Sequence, residues 1–333
     1  MRGHAIGGAS LPIERPQSDD RRLVLGAAVG MSVEQVRIFV ESLRLAGYSG
    51  PVVMLIGPTD FKLAAYLRAQ GVEAKRVWFV RRLHGPIHAY RFELFARYLQ
   101  QYGERYDEVL VSDVRDVVFQ AHPFNAMMSK DCHFFLEGAA KTIGNEPTNI
   151  LYMQLFLAPA EVEAIAAHRI SCCGVLLGGT QAIVAYLERM TARLRAVPLP
   201  FRRKIGADTA FHNLIAHVTR EVPAVIVENN VVVATMGIEP ASVYLAGPDG
   251  RICTRGGHMP AILHQYDRIP EIRAYTIGSD AGVNAGNYDL VIVADFDDVD
   301  RYLVYRDHPD HQAAIREHIA PILAERAAVQ HPL

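Results

Sequence analysis

From Arg21 onward, short apolar runs and amphipathic runs take turns, an order that builds a mostly parallel sheet with helices on both faces. "LVLGAAVG" (23–30) reads as a buried strand. Ser32 and Gln35 then form a capping box, and Val33, Val36, Phe39, Val40 and Leu43 recur at helical spacing until Gly47 ends the element. "PVVMLIG" is a second strand, "TDFKLAAYLRAQG" a second helix and "RVWFV" (76–80) a third strand. In "IHAYRFELFARYLQQY" (87–102), Ile87, Tyr90, Leu94, Phe95 and Leu99 share one helical face, and that helix leads into "EVLVSD" (108–113), the fourth strand. Further strands are expected at 133–138, 171–179 and 224–230, with helices at 180–196 and 207–218. The fold class is therefore α/β.

The fourth strand ends in an unusual way. In "YDEVLVSDVRDVVFQAHPF" (106–124) an apolar run meets Asp113, Arg115 and Asp116, then resumes at Val117. Charges between buried-looking residues are costly unless something compensates them. In open α/β sheets ligands collect beyond the carboxyl ends of strands, where loops diverge. Two carboxylates three residues apart on such a turn can share a hard divalent cation. The competing explanation is an Asp-capped turn in which Arg115 supplies a salt-bridge partner.

Composition narrows the function classes. With 34 basic and 36 acidic residues the formal net charge is −2, so nothing calls for a polyanion such as nucleic acid as partner. No run reaches the roughly 18 apolar residues of a membrane span, and the first 22 residues lack an apolar core of signal-peptide length. The expectation is a cytoplasmic chain without a transmembrane segment. Cys132, Cys172, Cys173 and Cys253 have neither knuckle spacing nor scaffold density and read as reduced thiols without assigned chemistry.

The acidic strand end carries a resemblance. "SDVRDVVFQAHPF" is similar to the "DvRDvvFQ" form of the metal-binding DxD element in a group of GT-A glycosyltransferases. "FVESLRLAGYSGPVV", "SCCGVLLGG", "GADTAFHN" and "PAILHQYDR" agree with the same group in order, so the likeness spans 23–268. It implies a GT-A fold, Rossmann-like with a mostly parallel sheet, and transfer of a sugar from a nucleotide-sugar donor, with a UDP-sugar expected, to an acceptor left open. Asp113, Asp116 and His264 would hold Mn²⁺ or Mg²⁺ with the donor diphosphate; an imidazole ligand favours manganese. Asp208, His212 and Asn213 would face donor sugar or acceptor, Asp208 as base. Ala27, Ala28 and Val29 would meet the nucleotide base, Arg91 the donor, and Arg115 a phosphate or ribose. Gly174 would let a sugar approach the backbone. Taken alone, His264 could be a histidine satisfied by backbone, Asp208 a helix cap, and His212 with Asn213 packing or surface residues.

The composition changes after Arg268. The tail, 269–333, resembles the last two thirds of a stress-responsive dimeric α/β-barrel domain, the Dabb family, through "NYDL", "FDD", "YRDHPDHQ" and a final "P…VQ". This implies a small α+β, ferredoxin-like segment, apparently incomplete, and a possible homodimer built through it. Residues 1–22 read as a flexible N-terminal segment. An alternative function follows: a degenerate transferase-like scaffold that binds a ligand and dimerises through its tail. A hydrolase acting on phosphorylated substrates ranks third. "LVIVADFDDVD" imitates a dehalogenase-type phosphatase signature, but too few residues follow it, and its acids suit a helix entry. His308 and His311 read as a solvated helix cap, and "LGAAVG" falls short of GxGxxG.

Overall fold

The computed structural model describes residues 19–198, 201–246, 250–266, 274–279, 290–295, 299–307, 312 and 315–316. The chain enters through β1 (Arg22–Ala27), α1 (Val33–Leu45), β2 (Val52–Ile56), α2 (Phe61–Ala69) and β3 (Glu73–Arg76). It continues through α3 (Arg81–His84), α4 (Ile87–Tyr102), β4 (Glu108–Ser112), β5 (Val117–Phe119) and β6 (Cys132–Leu136). Next come α5 (Pro147–Phe156), α6 (Pro159–Ala166), β7 (Ser171–Gly179), α7 (Thr180–Ala196), α8 (Ala207–Leu214) and β8 (Ala224–Val227). Short strands follow: β9 (Val233–Thr235), β10 (Tyr244–Ala246), β11 (Ile252–Thr254) and β12 (Ile262–His264). In the tail, β13 (Ala274–Ser279) pairs antiparallel with β14 (Leu290–Asp295), and α9 covers Val299–Asp307.

A seven-stranded sheet in the order β3-β2-β1-β4-β7-β6-β8 forms the frame. β1, β2, β3 and β4 run parallel, while β7 runs antiparallel to both of its neighbours, β4 and β6. Its central strands are largely apolar because both faces are covered. Leu23, Leu25, Val53, Leu55, Val109 and Val111 pack on one side in a cluster with residues of α4, α7 and α8. Val24, Met54, Ile56 and Leu110 point the other way, into a cluster with residues of α1 and α2. Burying one such side chain contributes about 1.5–3 kcal/mol.

Local signals act where the sequence places them. Gln35 N–H donates to Ser32 Oγ at 3.4 Å and Ser32 N–H donates to Gln35 Oε1 at 3.0 Å, closing the box at the start of α1. Gly47, at φ 87°, lies two residues beyond the helix end. β7, α4 and α7 have the expected bounds.

The third strand differs from expectation. The ladder with β2 runs over "EAKR", Glu73 to Arg76, and "RVWFV" mostly leaves the sheet, with Trp78 71% exposed. An edge strand with solvent on one side tolerates a polar sequence, and apolar composition misled the sequence reading. The expected helix at 207–218 ends as a helix at Leu214, and a π-helical turn over Ile215–Thr219 follows. Residues 19–22, read as part of a flexible segment, belong to the fold: Asp19 accepts from Ser49 N–H at 3.0 Å and pairs with Arg22 at 3.3 Å. His308, His311, "FDD" and the last tail helix lie outside the described residues.

The chain leaves β1 toward β2 on one side, and β4 lies on the other. This is the topological switch point of the sheet, where connections on adjacent strands part and leave a crevice. The turn that follows β4 leads into a small sheet in the order β5-β12-β9.

Candidate metal centre

Asp113 is the first residue past β4, and its N–H donates to the Gly174 carbonyl of β7 at 2.6 Å. The chain then turns, burying Val114 and exposing Arg115, and brings Asp116 to the start of β5. β12 pairs antiparallel with β5 so that His264 faces Val117, and Gln265 N–H donates to the Asp116 carbonyl at 2.8 Å. Register alone therefore delivers an imidazole from 148 residues downstream to the acidic turn.

Asp113, Asp116 and His264 each offer a ligand atom, and these atoms lie within 4.8 Å of one another. His264 Nε2 is 3.5 Å from Asp113 Oδ2 and 3.9 Å from Asp116 Oδ1. The imidazole is 1% exposed, against 25% and 13% for the two carboxylates, so the acids form the open side and the histidine the floor.

The residues fit a divalent cation on two counts. Nε2 of His264 is buried with no hydrogen-bond partner, although a buried polar nitrogen without one costs about 1–3 kcal/mol. Nδ1, by contrast, is engaged by Cys172 Sγ at 3.2 Å, which fixes the ring and aims Nε2 at the acids. Gly174 supplies the second indication. A Cβ there would overlap Asp113 Oδ2 and come within 2.5 Å of His264 Cε1 and 2.8 Å of Nε2, so the space at the donor atoms exists because residue 174 has no side chain. Two carboxylate oxygens and one imidazole nitrogen suit Mn²⁺ better than Mg²⁺. Without a cation, burial opposes charge on His264, but Cys172 and Asp116 outweigh it and push its pKa up to about 9.

The surrounding groups are charged and specific. Arg91, from α4, pairs with Asp113 through Oδ1, leaving Oδ2 toward His264, and its second nitrogen is 4.0 Å from Asp208 Oδ2. Asp208 stands in the first turn of α8 rather than at its cap, which is Gly206 at φ 97°. Cys173 Sγ lies 3.8 Å from Asp208 Oδ2, and burial together with that carboxylate holds its thiol well above the usual range. His88, three residues before Arg91, is pulled low by burial, which the Asp208 charge only partly offsets.

Of the residues expected from sequence, Asp113, Asp116, His264, Arg91, Asp208 and Gly174 thus converge. Ala27, Ala28 and Val29 leave β1 beside them, since Gly26 pairs with Ser112, one residue ahead of Asp113. Arg115 is exposed on the turn, and its carbonyl accepts from Tyr266 Oη at 3.5 Å. His212 and Asn213 are a correction. Both are fully buried behind the site: His212 bridges Ser171 Oγ at 2.8 Å and Tyr186 Oη at 2.7 Å, and Asn213 clamps the backbone of Ser171. Helix α8 turns that face inward, toward the core, and both side chains spend their hydrogen bonds on the protein itself. Cys172 and His88 were missed. The i, i+3 spacing of His88 and Arg91 on one helix was the available signal.

Comparison with protein families finds a match over residues 258–331 to the stress responsive A/B barrel domain, Dabb. It begins eleven residues ahead of the boundary read from sequence, and so includes β12 and His264. Comparison with curated proteins gives no match. Among solved structures the chain is similar to a dimeric ferredoxin-like protein of unknown function from Thermobifida fusca YX. The identity is 54% over 20% of this chain and 60% of that chain, with a TM-score of 0.19. No described helix is long and apolar enough to cross a membrane.

Proposed function

We propose that the chain transfers a sugar from a nucleotide-sugar donor in a metal-dependent reaction, as a GT-A-type glycosyltransferase. One observation carries the reading: an unpartnered, buried imidazole nitrogen shares the switch-point crevice with two carboxylates. Asp113, Asp116 and His264 would hold Mn²⁺ or Mg²⁺, and a cation bound there acts as Lewis acid on the departing diphosphate. The remaining roles belong to the protein. Arg91, fixed between Asp113 and Asp208, orients both carboxylates. Asp208 accepts the proton of the acceptor hydroxyl, shielded from water at 5% exposure. Ala27 and Val29, half-buried at the strand end with Ala28 packed into the core beneath them, present a small-residue floor on which a UDP base can lie, and Arg115 reaches the phosphates or ribose from the exposed turn.

Hydrolysis or transfer of a panel of nucleotide sugars, with Mn²⁺ and with EDTA, tests the reading. Turnover must need the metal and vanish in Asp113→Ala with Asp116→Ala. Turnover indifferent to both manipulations removes it.

The match over 258–331 favours a second, compatible reading, in which the tail pairs two copies of the chain. Sedimentation equilibrium of the full chain distinguishes a dimer from a monomer.

A further inference from the structure

A cavity of about 260 Å³ lies between the α3–α4 corner and the loop before α8, lined by Arg81, Arg82, Gly85 and Arg203. No carboxylate lines it, and among the described residues none pairs with any of the three arginines. Guanidinium groups brought together in this way repel one another unless an anion joins them, and their planar forks suit phosphate oxygens. Arg203 also borders a second cavity of about 660 Å³, whose walls include Leu151, Leu155 and Ile205. Leu151 and Ile205 are 52% and 51% exposed, an open apolar wall.

Both cavities are lined by segments that lead to the candidate metal centre. Arg81 is close enough to His88 to lower its proton affinity, and His88 in turn feels Asp208 and Arg91. A Cβ at Gly85 would overlap the carbonyl of Arg202, so the arginine loop is seated directly on the α3–α4 turn. That loop runs on to Gly206, packed on Tyr152, and two residues later reaches Asp208.

We infer that the paired cavities bind an amphiphile joining a phosphate-type anion, held by Arg81, Arg82 and Arg203, to an apolar portion lying along Leu151, Leu155 and Ile205. Resting on the proposed transferase reading, this names the acceptor class: an anionic, partly apolar molecule whose hydroxyl is delivered to Asp208. A wholly neutral sugar acceptor would leave the arginines uncompensated.

Calorimetry on the full chain in EDTA tests the inference with inorganic phosphate, octyl phosphate and octyl glucoside. Octyl phosphate should bind at least tenfold more tightly than phosphate, and octyl glucoside should give no heat. Arg82→Ala with Arg203→Ala, both exposed positions, should weaken octyl phosphate at least tenfold at an unchanged melting temperature. Leu151→Asp should erase the advantage over phosphate. Equal affinity of the double arginine variant and the parent overturns the inference, as does equal affinity for phosphate and octyl phosphate. Binding only to phosphatidylglycerol vesicles, with the same arginine dependence, also overturns it and makes the patch a membrane surface. The Asp113→Ala with Asp116→Ala variant separates the two readings. It should keep octyl phosphate binding, while an absence of metal-dependent turnover in the parent with octyl phosphate binding intact counts against the transferase reading alone.

Discussion

Ser171 and Cys172 are neighbours on β7, yet they open onto polar clusters of opposite character. Ser171 belongs to a closed one: His212, Asn213, Tyr186 and the Ser171 backbone satisfy one another inside the core. Cys172 backs an open one, where His264 Nε2 has no partner and two carboxylates face the crevice. Closed networks rigidify, since every donor and acceptor is matched and the low dielectric strengthens each bond. A buried atom left unmatched is instead a place where a ligand can complete the set. The lesson is that burial and polarity alone do not mark a site; an unmatched atom counts when it shares a crevice with further ligand atoms, as His264 Nε2 does with two carboxylates.

The contrast can be broken from either side. Replacing Asp113 and Asp116 together by Ala should lower metal-dependent donor turnover by about 10³-fold, close to 4 kcal/mol of barrier. The melting temperature in EDTA should barely fall, because these carboxylates are partly exposed; kinetics with parallel thermal scans check both halves. Asn213→Ala should do the reverse. It strands the Ser171 backbone N–H, which Asn213 Oδ1 accepts at 2.8 Å, and should cost about 2–3 kcal/mol in denaturant unfolding while leaving Mn²⁺ affinity unchanged.

Gly174→Ala sits between the clusters. Its methyl overlaps Asp113 and crowds His264, so overpacking of about 1–3 kcal/mol should accompany a loss of Mn²⁺ binding by calorimetry.

The remaining test is in pH. Burial, aided by His217, holds His212 down to about 3, so between about 6.5 and 3 the unfolded chain binds a proton that the native one does not. Stability from this cluster is full above about 6.5 and is lost as pH falls, at no more than about 1.4 kcal/mol per pH unit. Metal-free His264, raised to about 9, has the opposite sign: its contribution is full below about 6.5 and is lost as pH rises through 9. Melting curves of the parent, His212→Asn and His264→Gln from pH 4 to 10 in EDTA should show the first variant flattening the acid limb and the second the alkaline limb.

Much of the frame was legible because long amphipathic runs carry their period plainly, as in 87–102 and 180–196. The acidic turn was legible because Asp113 and Asp116 interrupt an apolar run. The strands of three residues, β5, β9, β10, β11 and β12, are too short to show a period, and the pairing of β5 with β12 is what brings His264 to the turn. Helices α5 and α6 went unread although Pro147 and Pro159 stand at their first positions, a known entry signal. His212 and Asn213 were placed on the wrong side because "GADTAFHN" does not say which face of α8 meets β7. The antiparallel course of β7, on which that depends, is set by pairings with β4 and β6 that are remote in sequence.

Strand β12 belongs at once to the small sheet β5-β12-β9 and to the segment 258–331. A truncation at Asp267 would leave Asp113, Asp116 and His264 together on one polypeptide. Excising the whole family-matched stretch would carry away the histidine, so the two segments of this chain share a strand rather than being strung end to end.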